Sequence, residues 1–444
     1  MRLLHTSDWH LGRSLYDRRR YDEFEAFLNW LLSIIIEENV DTLLVAGDIF
    51  DTPSPANRAQ QLYYRFLSQI NKTQCEHVVI TAGNHDSPSF LDAPGELLKA
   101  LDVHVVGSAS PGNPFNEIKV LLNSPSMRGP VPEGDSLLHE IECGNIIASD
   151  VKAVVCAVPY LRDRDIRTME PGETIDDKNR KMALGLRNHY KEVIQAAETI
   201  LAALYKTDLD STQKKIPLIA MGHLFTEKGQ TVRGDGVRDL YVGGLVGVDE
   251  SVFPEVIDYL ALGHLHMPQT VGDAAHMRYS GSPIPMGFGE SKQQKSVIIV
   301  DFENENPKPQ VRLLPVPCFQ ELIQIQGDLI EIQQKIHELK REKSRAWLEI
   351  EYTGNEIVPN LRQDIIDEVS DSLMEVRRIQ NRMVIERVMT ASSSGQSLDD
   401  LDEIDVFNRL LDASDFDNDS KDDLIEAFNE VLKNLSEEDN HEDT

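Results

Sequence analysis

The stretch VDTLLVAGD, residues 40–48, is a short apolar run that ends in a glycine and an aspartate. HVVITAGNHD, residues 77–86, has the same design, and the segment between them, residues 57–71, has the apolar period of a helix. Continuous apolar runs of this length are typical of strands buried on both faces of a parallel sheet. The order strand, helix, strand therefore predicts a βαβ unit.

The same alternation extends in both directions along the chain. Residues 1–8 predict a first strand and residues 24–39 a helix, whereas residues from about 108 to 150 predict loops with short strands. Further segments predict strands at 151–161, 216–225, 258–266, 277–283, 296–303 and 310–316, and a long helix at Lys178–Leu204. The pattern indicates an α/β fold with a mostly parallel sheet, in which ligands bind beyond the carboxyl ends of the strands.

The pattern changes after residue 315. Residues 319–383 predict strand, helix, strand, helix and strand, a small βαβαβ module. The segment ASSSGQS, residues 391–397, has the composition of a flexible linker, and two short acidic amphipathic helices are predicted after it. We therefore predict three parts: residues 1–315, a module at 316–390, and a linker with an acidic helical tail at 391–444.

Composition narrows the class of protein. The 444 residues are 41% hydrophobic, which suits folded domains, and no apolar run reaches the ~20 residues of a membrane helix. Because the first residues also lack the pattern of a signal peptide, we expect a cytoplasmic protein without membrane contact. The net charge of −31 argues against a protein that coats nucleic acid by charge alone. Residues 396–444 contain 18 acidic and three basic residues, so about half of that excess lies in the tail.

The four cysteines, Cys75, Cys143, Cys156 and Cys318, lie far apart in the sequence. Without a C-x-x-C pair, a thiolate zinc site and a disulfide framework are not expected. A metal would have to be bound by His, Asp, Glu or Asn, which favours Mn²⁺, Fe²⁺ or Mg²⁺ over a structural zinc.

Five short segments place such residues at predicted strand ends. They are SDWHLG with Asp8 and His10, AGDIFD with Asp48 and Asp51, GNHD with Asn84, His85 and Asp86, MGH with His223, and GHLH with His264 and His266. In an extended chain residues two apart point the same way, so each D-x-H or H-x-H pair can face one ion. A glycine precedes the polar residues in four segments and would let the backbone turn there.

Together these motifs resemble the calcineurin-like metallophosphoesterases, which are dinuclear metal hydrolases. HTSDWHLG (5–12), DYLALGHLHMPQ (258–269) and YSGSPIPMGFGESKQQKSV (279–297) further resemble the bacterial nuclease subunits that work with an SbcC-like ATPase subunit. The resemblance implies a metallophosphoesterase β-sandwich flanked by helices. A capping module and a helical acidic tail that binds the ATPase would follow.

The resemblance also implies roles for individual residues. Asp8, His10 and His266 would bind one ion, Asn84, His223 and His264 the other, and Asp48 would bridge both. The ions are expected to be two Mn²⁺, with Mg²⁺ as the alternative. His85 is expected to be catalytic without being a ligand, and Asp51 and Asp86 are expected to orient histidines.

The implied activity is metal-dependent hydrolysis of DNA phosphodiesters. It would be a 3′–5′ exonuclease on double-stranded DNA and an endonuclease on single-stranded or hairpin DNA, in DNA repair, replication and recombination. The resemblance further implies a homodimer, formed by helices at residues 57–70 and 89–101, within a heterotetramer. ATP would be used by the partner, since the chain has no G-x-x-x-x-G-K-[ST] loop.

Two other functions remain open at this point. A phosphatase or cyclic-nucleotide phosphodiesterase would have the same site, although the added C-terminal module argues against it. A non-enzymatic scaffold acting through its tail would not need the complete ligand set. The basic residues at 18–20 and 335–345 suit either a DNA backbone or a solvated protein surface.

Overall fold

The computed structural model describes residues 1–123, 131–168, 170, 172–207, 215–226, 229, 249–303, 308–356 and 358–382. The chain divides into two compact units, with the break after Gln320. The predicted linker and acidic tail lie outside the described residues, and the predicted limits of the three parts stay predictions.

The first unit is built from alternating strands and helices. Its strands are β1 (Arg2–Thr6), β2 (Ser14–Leu15), β3 (Arg18–Arg19), β4 (Thr42–Ala46), β5 (His77–Thr81), β6 (Val103–Val106), β7 (Ile118–Leu122), β8 (Val151–Ala157), β9 (Leu218–His223), β10 (Tyr259–Gly263), β11 (Gln269–Val271), β12 (Ala274–Tyr279), β13 (Ser296–Asp301) and β14 (Gln310–Pro315). Its helices are α1 (Tyr21–Glu37), α2 (Asn57–Ile70), α3 (Pro88–Asp92), α4 (Gly95–Lys99), α5 (Asp135–Glu142), α6 (Asp163–Ile166) and α7 (Ile175–Thr207).

Two six-stranded sheets organise this unit. The first has the order β14-β13-β1-β4-β5-β6, and in it β1, β4, β5 and β6 are parallel. The second has the order β11-β12-β10-β9-β8-β7, with β12, β10, β9 and β8 parallel. Antiparallel strands complete both sheets, so the expectation of a mostly parallel α/β fold is confirmed.

The two sheets pack face to face. Leu44 and Val79 of the first sheet share one buried cluster with Val155 and Ile219 of the second. The outer faces are covered by helices, as the spacing of buried residues in α1 illustrates: Phe24, Phe27, Leu28, Leu31 and Ile35. Residues at this spacing form one helix face, and burying each such side chain contributes roughly 1.5–3 kcal/mol. The predicted β-sandwich flanked by helices is therefore present.

Helix α5 is not among the predicted elements. It lies in the segment from about 108 to 150, for which the Pro, Gly and Ser content indicates loops and short strands. Leu137 and Ile141 are fully buried, four residues apart, within one cluster with α7 and the second sheet. A single apolar pair between turn-forming residues is too short a signal to identify a helix from sequence.

The second unit contains β15 (Leu322–Gly327), α8 (Leu329–Arg341), β16 (Trp347–Tyr352), α9 (Leu361–Val369) and β17 (Glu375–Asn381). Its three strands are parallel, which confirms the predicted βαβαβ order. Helix α8 begins with a reciprocal cap, in which the Asp328 carboxylate accepts from the Glu331 N–H at 2.9 Å and Glu331 accepts from the Asp328 N–H at 3.0 Å.

The basic residues of α8 form local ion pairs. Lys335 contacts Glu338 at 2.9 Å and Lys340 contacts Asp371 at 2.6 Å. This pairing favours a solvated surface over a DNA-binding face for these two lysines. Within the described part of the chain, no helix has both the length and the apolar character that crossing a bilayer requires.

Candidate metal centre

The seven predicted metal ligands lie together at one end of the sandwich. β1, β4 and β5 of the first sheet and β9 and β10 of the second end there, and the motif residues lie at or directly after these ends. Six of the seven are buried and Asn84 is half-buried; the six are Asp8, His10, Asp48, His223, His264 and His266. Loops from both sheets therefore build one centre.

The backbone of the motif loops differs from the expectation. Asp8 and His10 have φ values of 52° and 46°, in the left-handed region, so they are not two positions of an extended strand. Asp48 and His264 also have positive φ, 51° and 104°. Such conformations cost about 1–3 kcal/mol each and persist only where surrounding contacts enforce them. Here the Asp8 N–H donates to the Gly47 carbonyl and the His10 N–H to the Asp48 carbonyl, both at 3.0 Å.

The glycines before the ligands act in two different ways. Gly47 has a φ of 85° and so makes a true left-handed turn. Gly263 instead permits close approach, because a Cβ there would lie 1.9 Å from the Ala46 carbonyl oxygen and 2.8 Å from His223 Nδ1. Of the four glycines expected to turn, only Gly47 has a positive φ.

Asp8, His10 and His266 form one group of ligand atoms, all within 4.8 Å of one another. His10 Nε2 and His266 Nε2 are 3.2 Å apart. Two ring nitrogens at that distance either share one proton or face one cation. The Asp8 carboxylate is fixed from behind, because its oxygens accept from the His264 N–H at 3.0 and 3.2 Å.

A second group forms around Asn84. Its Oδ1 lies 3.1 Å from His223 Nε2 and 3.0 Å from His264 Nδ1. Asp48 stands between the two groups, with Oδ2 3.6 Å from His10 Nε2 and 3.3 Å from His223 Nε2. The arrangement suits a carboxylate that bridges two ions, although the assignment of ligands to each ion stays a prediction.

Charge in this pocket is divided unevenly. Burial alone would raise the pKa of Asp48, but the charge and hydrogen bond of His223 outweigh it and hold the pKa well below its usual range. Burial alone would lower the pKa of His223, but Asp48 raises it to about 9. His264 has its pKa lowered to about 3 by burial and by the His223 charge. An anionic carboxylate beside neutral imidazole and amide donors is a set that fits Mn²⁺ and similar divalent ions.

His85 is half-buried beside this centre. Its backbone N–H donates to Asp48 Oδ1 at 2.9 Å, and its Nδ1 donates to the Asp51 carbonyl oxygen at 2.9 Å. That second bond leaves Nε2 as the ring nitrogen available for chemistry. Ligand atoms of His10, Asp51 and His85 also lie within 4.8 Å of one another, so a catalytic role without metal binding stays a prediction for His85.

The two remaining acidic residues differ in what they hold. Asp51 Oδ1 lies 3.3 Å from His10 Nδ1, as expected of a residue that orients a histidine. The Asp86 carboxylate instead accepts from the backbone N–H groups of Ile49, Phe50 and Gly83, at 3.1, 3.0 and 2.8 Å. Asp86 therefore joins the loops after β4 and β5 rather than orienting an imidazole as predicted. Burial and the Asp48 charge raise the pKa of Asp86 to about 6.

Glu290 is a site residue that the motifs did not identify. It is fully buried, and its Oε1 accepts from His266 Nδ1 at 3.0 Å while its Oε2 pairs with Lys295. Burial alone would raise the pKa of Glu290, but the Lys295 charge and the His266 hydrogen bond lower it to about 2. A carboxylate on the far nitrogen fixes a metal-binding ring and makes its other nitrogen a better ligand. Glu290 follows His266 by 24 residues in GSPIPMGFGESKQQKS, at no metal-ligand spacing.

We expect Glu290→Gln to weaken Mn²⁺ binding about 10–100-fold, since the amide keeps the shape but loses the charge that holds His266. An EPR titration of free Mn²⁺ measures this directly. Because Glu290→Gln also leaves Lys295 buried without its anion, Glu290→Asp is the second variant: it keeps the charge but shortens the reach to His266. Glu338→Gln, in the second unit, is the matched control. Unchanged Mn²⁺ affinity in both Glu290 variants would remove the role assigned here.

The basic segment after the first ligand loop is only partly available to a ligand. Arg18 and Arg19 are exposed. Arg20 is buried and pairs with both oxygens of Glu23, at 2.8 and 2.9 Å. The suggestion that all three arginines follow a DNA backbone is therefore wrong for Arg20.

Comparison with known proteins agrees with this geometry. The family model described as calcineurin-like phosphoesterase matches residues 1–268, and the model described as type 5 capsule protein repressor C-terminal domain matches residues 318–415. The chain is 33% identical to the D component of the nuclease SbcCD of Escherichia coli strain K12 over 443 residues, 99% of each chain. It is 34% identical to the corresponding Rhodobacter capsulatus protein over 302 residues, 68% of this chain and 66% of that one. For the Bacillus subtilis protein of the same name the identity is 32% over 303 residues, with the same shares of 68% and 66%. The chain thus belongs to the calcineurin-like phosphoesterase family, within the group of SbcD nuclease subunits.

Proposed function

We propose that this chain is the nuclease subunit of an SbcCD-like complex, acting on DNA together with an SbcC-like ATPase. Its activities would be 3′–5′ exonuclease on double-stranded DNA and endonuclease on single-stranded or hairpin DNA, with two Mn²⁺ or, as the alternative, two Mg²⁺. It would serve DNA repair, replication and recombination in the cytoplasm. The observation that carries the proposal is the convergence of both ligand groups on Asp48 Oδ2, with His85 next to it.

The donor set explains why an anionic substrate is accepted. Two divalent ions, when bound, would neutralise the phosphodiester and activate a water. Asp8 and Asp48 supply the only two carboxylates among the seven predicted ligands, and the other five are neutral His or Asn donors. Positive charge is therefore left over for the phosphate group and the nucleophile.

His85 would act on the leaving group. Its Nδ1 is engaged by the Asp51 carbonyl, so the ring orientation is set and Nε2 is the atom that can donate a proton to the leaving 3′ oxygen. The half-buried position of His85 allows a substrate to reach it.

One assay separates the candidate functions. The purified chain with Mn²⁺ is incubated with an end-labelled DNA hairpin, an end-labelled duplex and p-nitrophenyl phosphate esters, with and without SbcC. We expect DNA cleavage that a chelator abolishes. Hydrolysis of the esters alone would favour a phosphatase or cyclic-nucleotide phosphodiesterase. Inactivity on every substrate in both conditions would favour a scaffold.

The acidic tail is expected to bind the ATPase partner. Deleting residues 398–444 should weaken SbcC binding while both Mn²⁺ ions remain bound, because every predicted ligand lies in the first unit. Titration of labelled SbcC by fluorescence anisotropy measures the affinity, and EPR measures the bound Mn²⁺. An unchanged affinity for SbcC would contradict the tail assignment.

The homodimer within a heterotetramer is also part of this proposal. Helix α2 and residues 89–101 would form the contact, and Leu97 in the second segment has 69% of its surface exposed. Sedimentation velocity on the chain alone would show a dimer if the assignment holds.

A further inference from the structure

We propose that His77, Asp102 and His104 form an additional metal site, for Zn²⁺ or a similar transition ion, separate from the catalytic centre. His77 is the first residue of β5, and the catalytic loop with Asn84 follows the other end of that strand. Strands rise about 3.3 Å per residue, so β5 alone separates the two places by roughly 13 Å. The two sites therefore lie at opposite edges of the first sheet.

Strand pairing brings the three side chains together. β5 and β6 are parallel neighbours in which Val78 pairs with Val103 and Val79 with His104. One ligand atom from each of His77, Asp102 and His104 lies within 4.8 Å of the others. His77 Nδ1 is 3.8 Å and His104 Nε2 is 4.0 Å from Asp102 Oδ1. Ligands about 2.0–2.1 Å from a tetrahedral zinc lie roughly 3.4 Å apart, so small side-chain rotations would close the site.

His77 is already arranged as a metal ligand. It is 2% exposed, and its Nε2 donates to the Leu122 carbonyl oxygen at 2.8 Å. A neutral ring with the proton on Nε2 has its lone pair on Nδ1, the nitrogen nearest Asp102. Among the described residues, that Nδ1 has no hydrogen-bond partner. Metal-binding histidines usually have their second nitrogen bound to a carbonyl or carboxylate in this way.

His104 shows the same deficit. It is 8% exposed, and its buried Nδ1 likewise has no hydrogen-bond partner in the described part of the chain. Burial lowers the pKa of His104 to about 3 and also lowers that of His77, so both rings keep their lone pairs at neutral pH. Unpaired buried nitrogens are costly, and a bound cation would satisfy them.

The surrounding charges leave Asp102 free to bind a cation. Nearby Lys152 is paired with Glu76, and Lys119 with Glu133. Asp102 forms no ion pair with Lys or Arg among the described residues, and its distances to the two imidazoles are too long for hydrogen bonds. Its side chain is 31% exposed, so water can supply a fourth ligand. Two imidazoles and one carboxylate suit Zn²⁺, Co²⁺, Ni²⁺ or Cu²⁺ better than Mg²⁺ or Ca²⁺.

The test measures zinc content in the full-length chain. The parent protein, Asp102→Asn, His104→Gln and the control His337→Gln are equilibrated with buffered Zn²⁺, and bound zinc is measured by inductively coupled plasma mass spectrometry. Asp102 has a φ of 54°, a conformation that Asn tolerates well, so Asp102→Asn removes the charge with little backbone strain. We expect both site variants to bind one Zn²⁺ fewer per chain than the parent, and His337→Gln to match the parent.

A stability measurement keeps the test decisive if His104→Gln folds poorly. Saturating Zn²⁺ should raise the Tm of the parent by roughly 5 °C more than that of Asp102→Asn, because the ion binds only the folded site. Zinc bound at the catalytic centre affects both proteins equally and cancels in the difference. Equal zinc content and equal Tm shifts in the parent and Asp102→Asn would overturn the proposal.

Discussion

His85→Asn is expected to lower kcat for DNA cleavage by about 10²–10⁴-fold while both Mn²⁺ ions remain bound. The Asn amide can replace Nδ1 as the donor to the Asp51 carbonyl, whereas the catalytic nitrogen Nε2 is removed. The backbone N–H of residue 85 still reaches Asp48 Oδ1, so the bridging carboxylate keeps its support. Single-turnover cleavage of a labelled hairpin, together with Mn²⁺ EPR on the same sample, measures both quantities.

The combination of activity and metal content identifies the role of His85. Loss of cleavage with full metal content supports a catalytic residue that is not a ligand. Loss of one Mn²⁺ would instead make His85 a ligand with His10 and Asp51, the grouping that the geometry also permits. Retained cleavage would disprove any catalytic role. His337→Asn, an exposed histidine in the second unit, controls for the loss of an imidazole.

Asp48→Asn is expected to remove cleavage together with metal binding. The amide has the same volume and can still accept from the His85 N–H, but it lacks the negative charge that both ligand groups share. Since loss of an orienting contact alone weakens metal binding 10–100-fold, we expect a loss of at least about 100-fold in Mn²⁺ affinity here. Isothermal titration of Mn²⁺ and the hairpin assay provide the measurements.

A matched control separates the bridge from a general charge effect. Asp22→Asn removes the same charge from an exposed side chain of α1 that pairs with Arg58. It should leave Mn²⁺ binding and cleavage unchanged. If Asp48→Asn kept both Mn²⁺ ions at full affinity, Asp48 would not be the bridging ligand.

Much of this site follows from local sequence patterns. The apolar runs that end at Asp8, Asp48 and Asn84 predict strands, and parallel strands must present their carboxyl ends at one edge. The α/β character, the sandwich and the βαβαβ unit follow from the same alternation or from the resemblance that it supports. These features depend on residues adjacent in sequence, which a pattern can report.

What the sequence does not reveal depends on contacts between distant residues. The left-handed φ of Asp8 and His10 arises from hydrogen bonds to Gly47 and Asp48, some forty residues away. Glu290 reaches His266 only because both sit under the same fold of chain, and Asp86 bonds backbone rather than a ring. No spacing rule within one segment predicts such partners. The short helix α5 is hidden for the opposite reason, because its local signal is only one apolar pair.

The sharing of one centre between two sheets has a consequence for dissecting the protein. Asp8, His10, Asp48 and Asn84 come from strand ends of the first sheet, and His223, His264 and His266 from the second. A chain cut between β6 and β7 would yield two fragments, each with an incomplete set of donors. Neither fragment alone should retain manganese tightly, and mixing them should restore retention only if the halves reassemble. Metal uptake would then report fragment complementation directly, without any need for a substrate.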